Sequence, residues 1–261
     1  MAFINYTTNN LAIKIIYYGP GLSGKTTNLR QIYYKLDPSS RGEFICLETD
    51  TERTLFFDLL PIKAGLINGF KIHFHLFTVP GQVFYEASRR SVLKGVDGIV
   101  FVADSQAALL DANIESFDGL RENLVHLNID IKDIPLVFQY NKRDLSNLIP
   151  VETFNNLLNP QKYPFIEAAA INGVGVFETL KEISKLTVPR VQEKLLELTR
   201  KREDKEKKEK VKEESMKGKV DFDSTAETST FHLKKIKIGS QSDIEREIEN
   251  LAREFTKKTK D

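Results

Sequence analysis

Short apolar runs bounded by Gly, Pro, Asn or Asp alternate with amphipathic stretches over the first 189 residues. Ala12 to Tyr18, Phe70 to Phe77, Gly98 to Ala103, Leu136 to Tyr140 and Phe165 to Ala169 have the length and β-branched or aromatic content of strands. Between them, Lys25 to Leu36, Phe84 to Lys94, Ala107 to Leu127, Glu152 to Leu158 and Val176 to Leu186 read as helices. Repeated strand, helix, strand predicts an α/β fold, a three-layer and mostly parallel sheet, because parallel neighbours need crossover connections. Asn68-Gly69, between Ile62 to Ile67 and Phe70 to Phe77, suits the positive φ angles of a two-residue hairpin turn, so one edge pair is expected to be antiparallel. In open sheets of this kind ligands bind beyond the carboxyl ends of the strands.

After Pro189 the pattern changes. Gln192 to Lys219 intersperses Glu with Lys and Arg, as a solvent-exposed helix continuing from the core does, and Val220 to Thr230 has the polar composition of a linker. An apolar stripe returns at Ile244, Ile248, Leu251 and Phe255, one face of a helix. The expected organisation is therefore a domain over 1–189, a charged linker over 190–239 and an amphipathic helix over 240–261. Charge sharpens that division. Of 38 Lys+Arg and 37 Asp+Glu among 261 residues, 18 and 20 fall in residues 1–189, which leaves 20 and 17 for the rest. Half of the tail is charged, too much to bury a core of its own. The balanced total, a net +1, gives no electrostatic reason to expect nucleic acid as a partner. A single cysteine, Cys46, excludes an intramolecular disulfide and fits a reducing cytosol. No apolar run approaches the roughly 18 residues of a membrane span, and neither end carries a lipidation signal. The expected location is cytoplasmic, with any recruitment to a pole or membrane made through partners.

The strongest chemical signal is Gly19-Pro20-Gly21-Leu22-Ser23-Gly24-Lys25-Thr26, which fits G-x-x-x-x-G-K-[ST] directly after a strand. In such a loop the amides of Gly19, Gly21, Leu22, Ser23, Gly24 and the helix start at Thr26 and Thr27 converge on phosphate, Lys25 reaches the β- and γ-phosphates, and the Thr26 hydroxyl meets Mg²⁺. A side chain at Gly21 would intrude where a γ-phosphate and an attacking water meet. The P-loop does not by itself separate ATP from GTP. Asn141-Lys142-Arg143-Asp144, at another strand end, does: a carboxylate at Asp144 accepts from both N1–H and the exocyclic amine of guanine, a donor pair that adenine lacks. Asn141 is expected to brace the neighbouring loops and the Lys142 stem to cover the base. In Glu167-Ala168-Ala169-Ala170, Ala169 and Ala170 stand where a backbone N–H could meet the guanine O6, although small residues packed beneath a helix read equally well.

Together with the Gly81-Gln82 pair after the next strand, these motifs resemble Ras-like small GTPases. The chain is most similar to the bacterial MglA group, which acts in cell polarity and gliding motility. The strings that carry this are Phe3-Ile4-Asn5-Tyr6, Tyr17 to Leu22, Glu52 to Asp58, Thr78-Val79-Pro80-Gly81-Gln82-Val83-Phe84-Tyr85 and Lys94 to Gly98. They span 1–189 and leave the tail uncovered. The resemblance implies GTP and GDP as ligands, Mg²⁺ as cofactor, Thr54 as the switch threonine on metal and γ-phosphate, Arg53 as an intrinsic arginine finger, and an MglB-type roadblock-domain protein as activating partner, with the effector unidentified. Gln82 takes the position at which glutamine orients the attacking water, and Gly81 offers its N–H to the γ-phosphate. One departure stands out. Where most small GTPases have D-x-x-G, this chain has Thr78-Val79-Pro80-Gly81, so a hydroxyl replaces the acid that holds Mg²⁺ through water, and weaker metal binding is expected.

The reading is a GTP-hydrolysing switch. A scaffold that binds GTP with little hydrolysis is the alternative raised by Thr78, and a P-loop kinase using ATP is the one that Asp144 argues against. Other conspicuous residues take plain structural readings. His73 and His75 alternate along one strand without a carboxylate or cysteine neighbour, as half-buried strand residues do, and Arg89-Arg90 reads as helix surface.

Overall fold

The apolar runs pair into one sheet in the computed structural model of the protein, which describes residues 3–5, 7–48, 54–67, 69–81 and 86–217, with side chains described as far as residue 200. In chain order the strands are β1 (Phe3–Asn5), β2 (Asn10–Tyr18), β3 (Ile45–Glu48), β4 (Thr54–Ile67), β5 (Phe70–Thr78), β6 (Gly98–Asp104), β7 (Leu136–Asn141) and β8 (Phe165–Glu167). The helices are α1 (Lys25–Lys35), α2 (Glu86–Leu93), α3 (Leu110–His126), α4 (Val151–Leu157) and α5 (Val176–Lys217). Strands are ordered β3-β4-β5-β2-β6-β7-β8, with β1 added to β2. From β5 through β8 every pairing is parallel, while β3, β4 and β5 pair antiparallel. The expected antiparallel pair is thus present, although Asn68 of its turn lies outside the described residues.

Two apolar layers hold the sheet. Leu11, Ile13, Ile15 and Tyr17 of β2 and Leu60, Phe74, Leu76 and Val102 of its neighbours pack beneath Leu29 and Ile32 of α1 and Val176, Leu180 and Ile183 of α5. The alternate residues, Ile16, Tyr18, Phe101 and Phe138, pack against Leu93, Phe117, Leu120 and Phe154 of α2, α3 and α4. β6 and β7 are buried throughout, as central parallel strands covered on both faces should be.

Three boundaries differ from the sequence expectation. β4 runs fourteen residues, well beyond Ile62 to Ile67, and β3 lies beside it. Pro61 sits inside β4, where its missing N–H is tolerated and its carbonyl accepts from Gly42 N at 2.8 Å. The third is α5, in which the expected helices Val176 to Leu186 and Gln192 to Lys219 form one element running through Pro189 to Lys217. A proline inside a helix costs about 3 kcal/mol. Burial of Val188, Val191 and Leu195 in the core continues the stripe of Leu180 and Ile183, and at roughly 1.5–3 kcal/mol per side chain it offsets that cost. The packed unit therefore extends past 189 to at least Leu195. The expected helix at 240–261 and the linker residues from 218 onward lie outside the described residues.

Candidate functional site: a phosphate cradle and a base-reading loop

The carboxyl ends of β2, β5, β6 and β7, together with the loop after β8, converge on one edge of the sheet. Gly19 (φ 146°), Leu22 (φ 59°) and Gly24 (φ 97°) give the loop after β2 the alternating backbone that turns amides inward. A Cβ on Gly19 would strike the Val102 carbonyl of β6, and one on Gly24 would strike the Asn141 amide, so both close approaches require glycine. α1 starts at Lys25 with no side-chain cap on its first turn, which leaves those amides directed into the loop. Ser23 is fully buried, and its Oγ has no partner among the described residues. Lys25 is buried as well. Its Nζ donates to Gly19 O at 3.0 Å and Pro20 O at 2.6 Å. Burial pulls the Lys25 ammonium down to about 7; the Asp58 carboxylate opposes that fall, and Arg89 and Lys142 add to it. An ammonium so poorly solvated beside inward amides and an orphan hydroxyl fits an anion.

Asp58 was not singled out by the sequence. Fully buried on β4, it accepts through Oδ2 from Thr26 Oγ1 and from Thr78 Oγ1, both at 2.6 Å, while its own N–H donates to Thr78 Oγ1 at 3.0 Å. Cys46 Sγ of β3 donates to Oδ1 at 3.0 Å. The uncharged Thr78 is therefore not the whole of this position: a carboxylate from the adjacent strand stands beside it, joined to the P-loop threonine. Its oxygen-rich set of a carboxylate and two hydroxyls is of the kind that suits Mg²⁺. Gly81 packs so closely on Pro20 and Gly21 that a Cβ there would overlap their backbone.

At the other end of the site Asn141 ties the loops together, as expected of it. Nδ2 donates to Ser23 O at 2.7 Å and Oδ1 accepts from Ala170 N at 2.9 Å. That second bond places the Ala170 N–H beside Asn141, at the base-reading end of the site. Ala169 N donates to Val174 O at 3.1 Å, so its amide is committed. Lys142, at φ 67°, pairs through its Nζ with buried Asp104 at 2.6 Å, which fixes the ammonium end of its stem. Arg143 pairs with Glu167 at 2.9 Å and donates to Ile149 O at 2.8 Å. Asp144 follows on the exposed loop. Beneath the site, Gln139 of β7 exchanges two hydrogen bonds with Asn28 of α1 and donates to Thr179 of α5. Asp104, Gln139 and Asn28 were not legible as site supports, because a single polar residue in an apolar run carries no signal of its partner.

Thr27 lies in the first turn of α1. Thr54 opens β4, but its side chain is outside the described residues, as are Arg53 and Gln82 entirely. His73 and His75 are half-buried, as expected. No group of three or more His, Cys, Asp or Glu side chains that could hold a metal occurs among the described residues. No described helix is long and apolar enough to cross a membrane.

No protein-family model matches the chain. It is 23% identical to ADP-ribosylation factor-like protein 6 of Caenorhabditis elegans over 180 residues, which cover 66% of this chain and 85% of that protein. To human ADP-ribosylation factor-like protein 4A it is 26% identical over 184 residues, 67% of this chain and 84% of that protein. The sheet, its P-loop and these relatives define the class: this is a small GTPase with a Ras-like fold. Identity rises to 55% over 188 residues with the mutual gliding-motility protein MglA of Myxococcus xanthus, covering 72% of this chain and 96% of that protein. The chain belongs to the MglA family.

Proposed function

We propose that this GTPase is a molecular switch that binds GTP with Mg²⁺, hydrolyses it to GDP and phosphate, and changes partners as it does so in cell polarity or gliding motility. The observation that carries the proposal is the meeting of Lys25, Thr26, Thr78 and buried Asp58 at the P-loop. The amides of Gly21 to Thr27 and the Lys25 ammonium hold the phosphates. The Thr26 and Thr54 hydroxyls would hold Mg²⁺, and Asp58, with Thr78 beside it, would orient the water around it. When bound, Mg²⁺ would supply positive charge beside the phosphates. Asp144 reads guanine, Lys142 covers the base, and the Ala170 backbone N–H meets the guanine O6. Gly81 offers its N–H to the γ-phosphate, Gln82 orients the attacking water, and Arg53 meets charge developing on the β–γ bridge.

The scaffold alternative rested on the lack of charge at Thr78, and the Asp58 carboxylate beside it supports the hydrolysing reading. The segments 50–58 and 78–85 are the switch, held in one arrangement by the γ-phosphate and released after hydrolysis. Its activating partner is a roadblock-domain protein of the MglB type. The protein works in the cytoplasm, and a partner brings it to a pole or membrane.

Single-turnover GTP hydrolysis with and without that partner tests this reading. Arg53→Ala and Gln82→Leu keep GTP affinity near wild type and lose stimulated turnover, Arg53→Ala by a factor on the order of 10³ to 10⁵. A loss below about threefold on changing Arg53 would return it to an ordinary loop arginine.

A further inference from the structure

One face of the sheet is only partly covered. Along β5 the residues alternate strictly between buried and more exposed, and β2 does the same until Ile15. The buried set faces α1 and α5. On the opposite face α2, α3 and α4 cover β6, β7 and the end of β2, with Phe57 and Phe77 packed at the rim of that layer, so among the described residues no helix covers β3, most of β4, β5 before Phe77 and the start of β2. Strand register sets the open face out in rows. Ile45, Leu59 and Phe77 form an apolar row, with the Phe57 ring at its end tilted 55° to that of Phe77, ring centroids 5.7 Å apart. Next come Pro61, His75 and Lys14, then Lys63, His73 and Ala12, then Leu66, Lys71 and Asn10. Ile45 is 43% exposed and Leu66 63%. Lys14 lies 4.7 Å over the Phe77 ring, and Lys63 reaches Ser39 O, so both stems line the face. Apolar side chains are thus bordered by three lysines. Burial lowers both histidines from their ordinary value, together with Lys63 and Lys71 at His73 and with His73 and Lys14 at His75, and burial lowers Lys14 as well, opposed by Asp97.

We propose that this face is the docking surface for residues 240–255 of the same chain. That segment carries Ile244, Ile248, Leu251 and Phe255 at helical spacing, the four apolar groups its sequence leaves without a core. Around the stripe stand five acids, Asp243, Glu245, Glu247, Glu249 and Glu254, against two bases, Arg246 and Arg253. An acidic, apolar-striped segment complements lysines around an apolar row. The chain is long enough to bring the two together. α5 passes the start of β6 at Thr187, beside Gly98, and the approach to β7 at Arg190, 3.9 Å from Asp133. Since β2 and β5 run parallel to β6 and β7, the rows of Lys63 and Lys71 lie at that same end of the sheet. Between Lys217 and Ile244 run about 26 residues, which extend to about 85 Å, ample to return to the face at high effective concentration.

Zero-length coupling of carboxylates to amines in the full chain tests the proposal, with peptides mapped from a mixture of light and heavy isotope-labelled protein. Links should join the acids of 243–254 to Lys14, Lys63 or Lys71 within one chain. In Ile248→Asp/Leu251→Asp, which leaves the packed core untouched, these links fall at least about tenfold as the apolar contacts are lost. Ile45→Asp, at an exposed position of the face, lowers them in the same way. The proposal is overturned if the links are absent, if they are unchanged in both variants, or if they join only light to heavy chains, which would make the occupant a second copy.

Discussion

Asp58 shows how a missing charge is restored from a neighbouring strand. Its carboxylate is the only acid bonded to both Thr26 and Thr78 among the described residues. Asp58→Asn keeps the shape and removes the charge, so Mg²⁺-dependent GTP affinity should fall roughly 10- to 100-fold, the range for a group that orients metal ligands. Affinity measured over a Mg²⁺ titration checks this; an unchanged curve would remove Asp58 from the metal's surroundings. The departure at Thr78 was legible in the sequence, but its compensation was not. A two-residue turn closing on Ile67 and Phe70, continued without irregularity, would set Leu59 opposite Thr78. The register instead shifts by one between Lys63 and Leu66, which brings Asp58 there. No local pattern in the chain announces that shift except Gly65.

Gly65 holds that irregularity at φ 95°, a conformation that other residues rarely adopt. Gly65→Ala should therefore cost about 1–2 kcal/mol, read as a lower denaturant midpoint with an unchanged slope. A midpoint equal to wild type would mean that the bulge relaxes without strain. The sequence disclosed the parallel strands well at this scale, because β6 and β7 are continuous apolar runs between turn residues. It under-read β4, where Asp58 and Pro61 interrupt the pattern, and it read the helix beyond Pro189 as solvent-exposed from its start. Proline is a sound stop signal when nothing beyond it is buried, but here Val191 and Leu195 remain in the core.

Those two side chains also decide where the molecule can be cut. Truncation after Lys217 should leave GTP binding as it is and lower thermal stability only by what the docked 240–255 segment contributes. Truncation after Pro189 removes Val191 and Leu195 and should lower stability by roughly 1.5–3 kcal/mol for each; equal melting temperatures for the two truncations would show that α5 beyond Pro189 is not part of the packed unit. The P-loop and Asn141 to Asp144 were legible across the whole chain because each is a short string at a strand end. Arg53 and Gln82 came from resemblance and motif position and stand untouched by the geometry. The central claim is that this site selects guanine nucleotides, and competition of GTP, ATP and XTP against labelled GDP measures it directly in wild type and in Asp144→Asn. GTP should displace the label while ATP does not, and Asp144→Asn should shift the preference toward XTP by a factor on the order of 10 or more, since one good hydrogen-bonded contact is lost and another gained. ATP competing as well as GTP in wild type, or GTP keeping its full margin over XTP in the variant, would contradict the account.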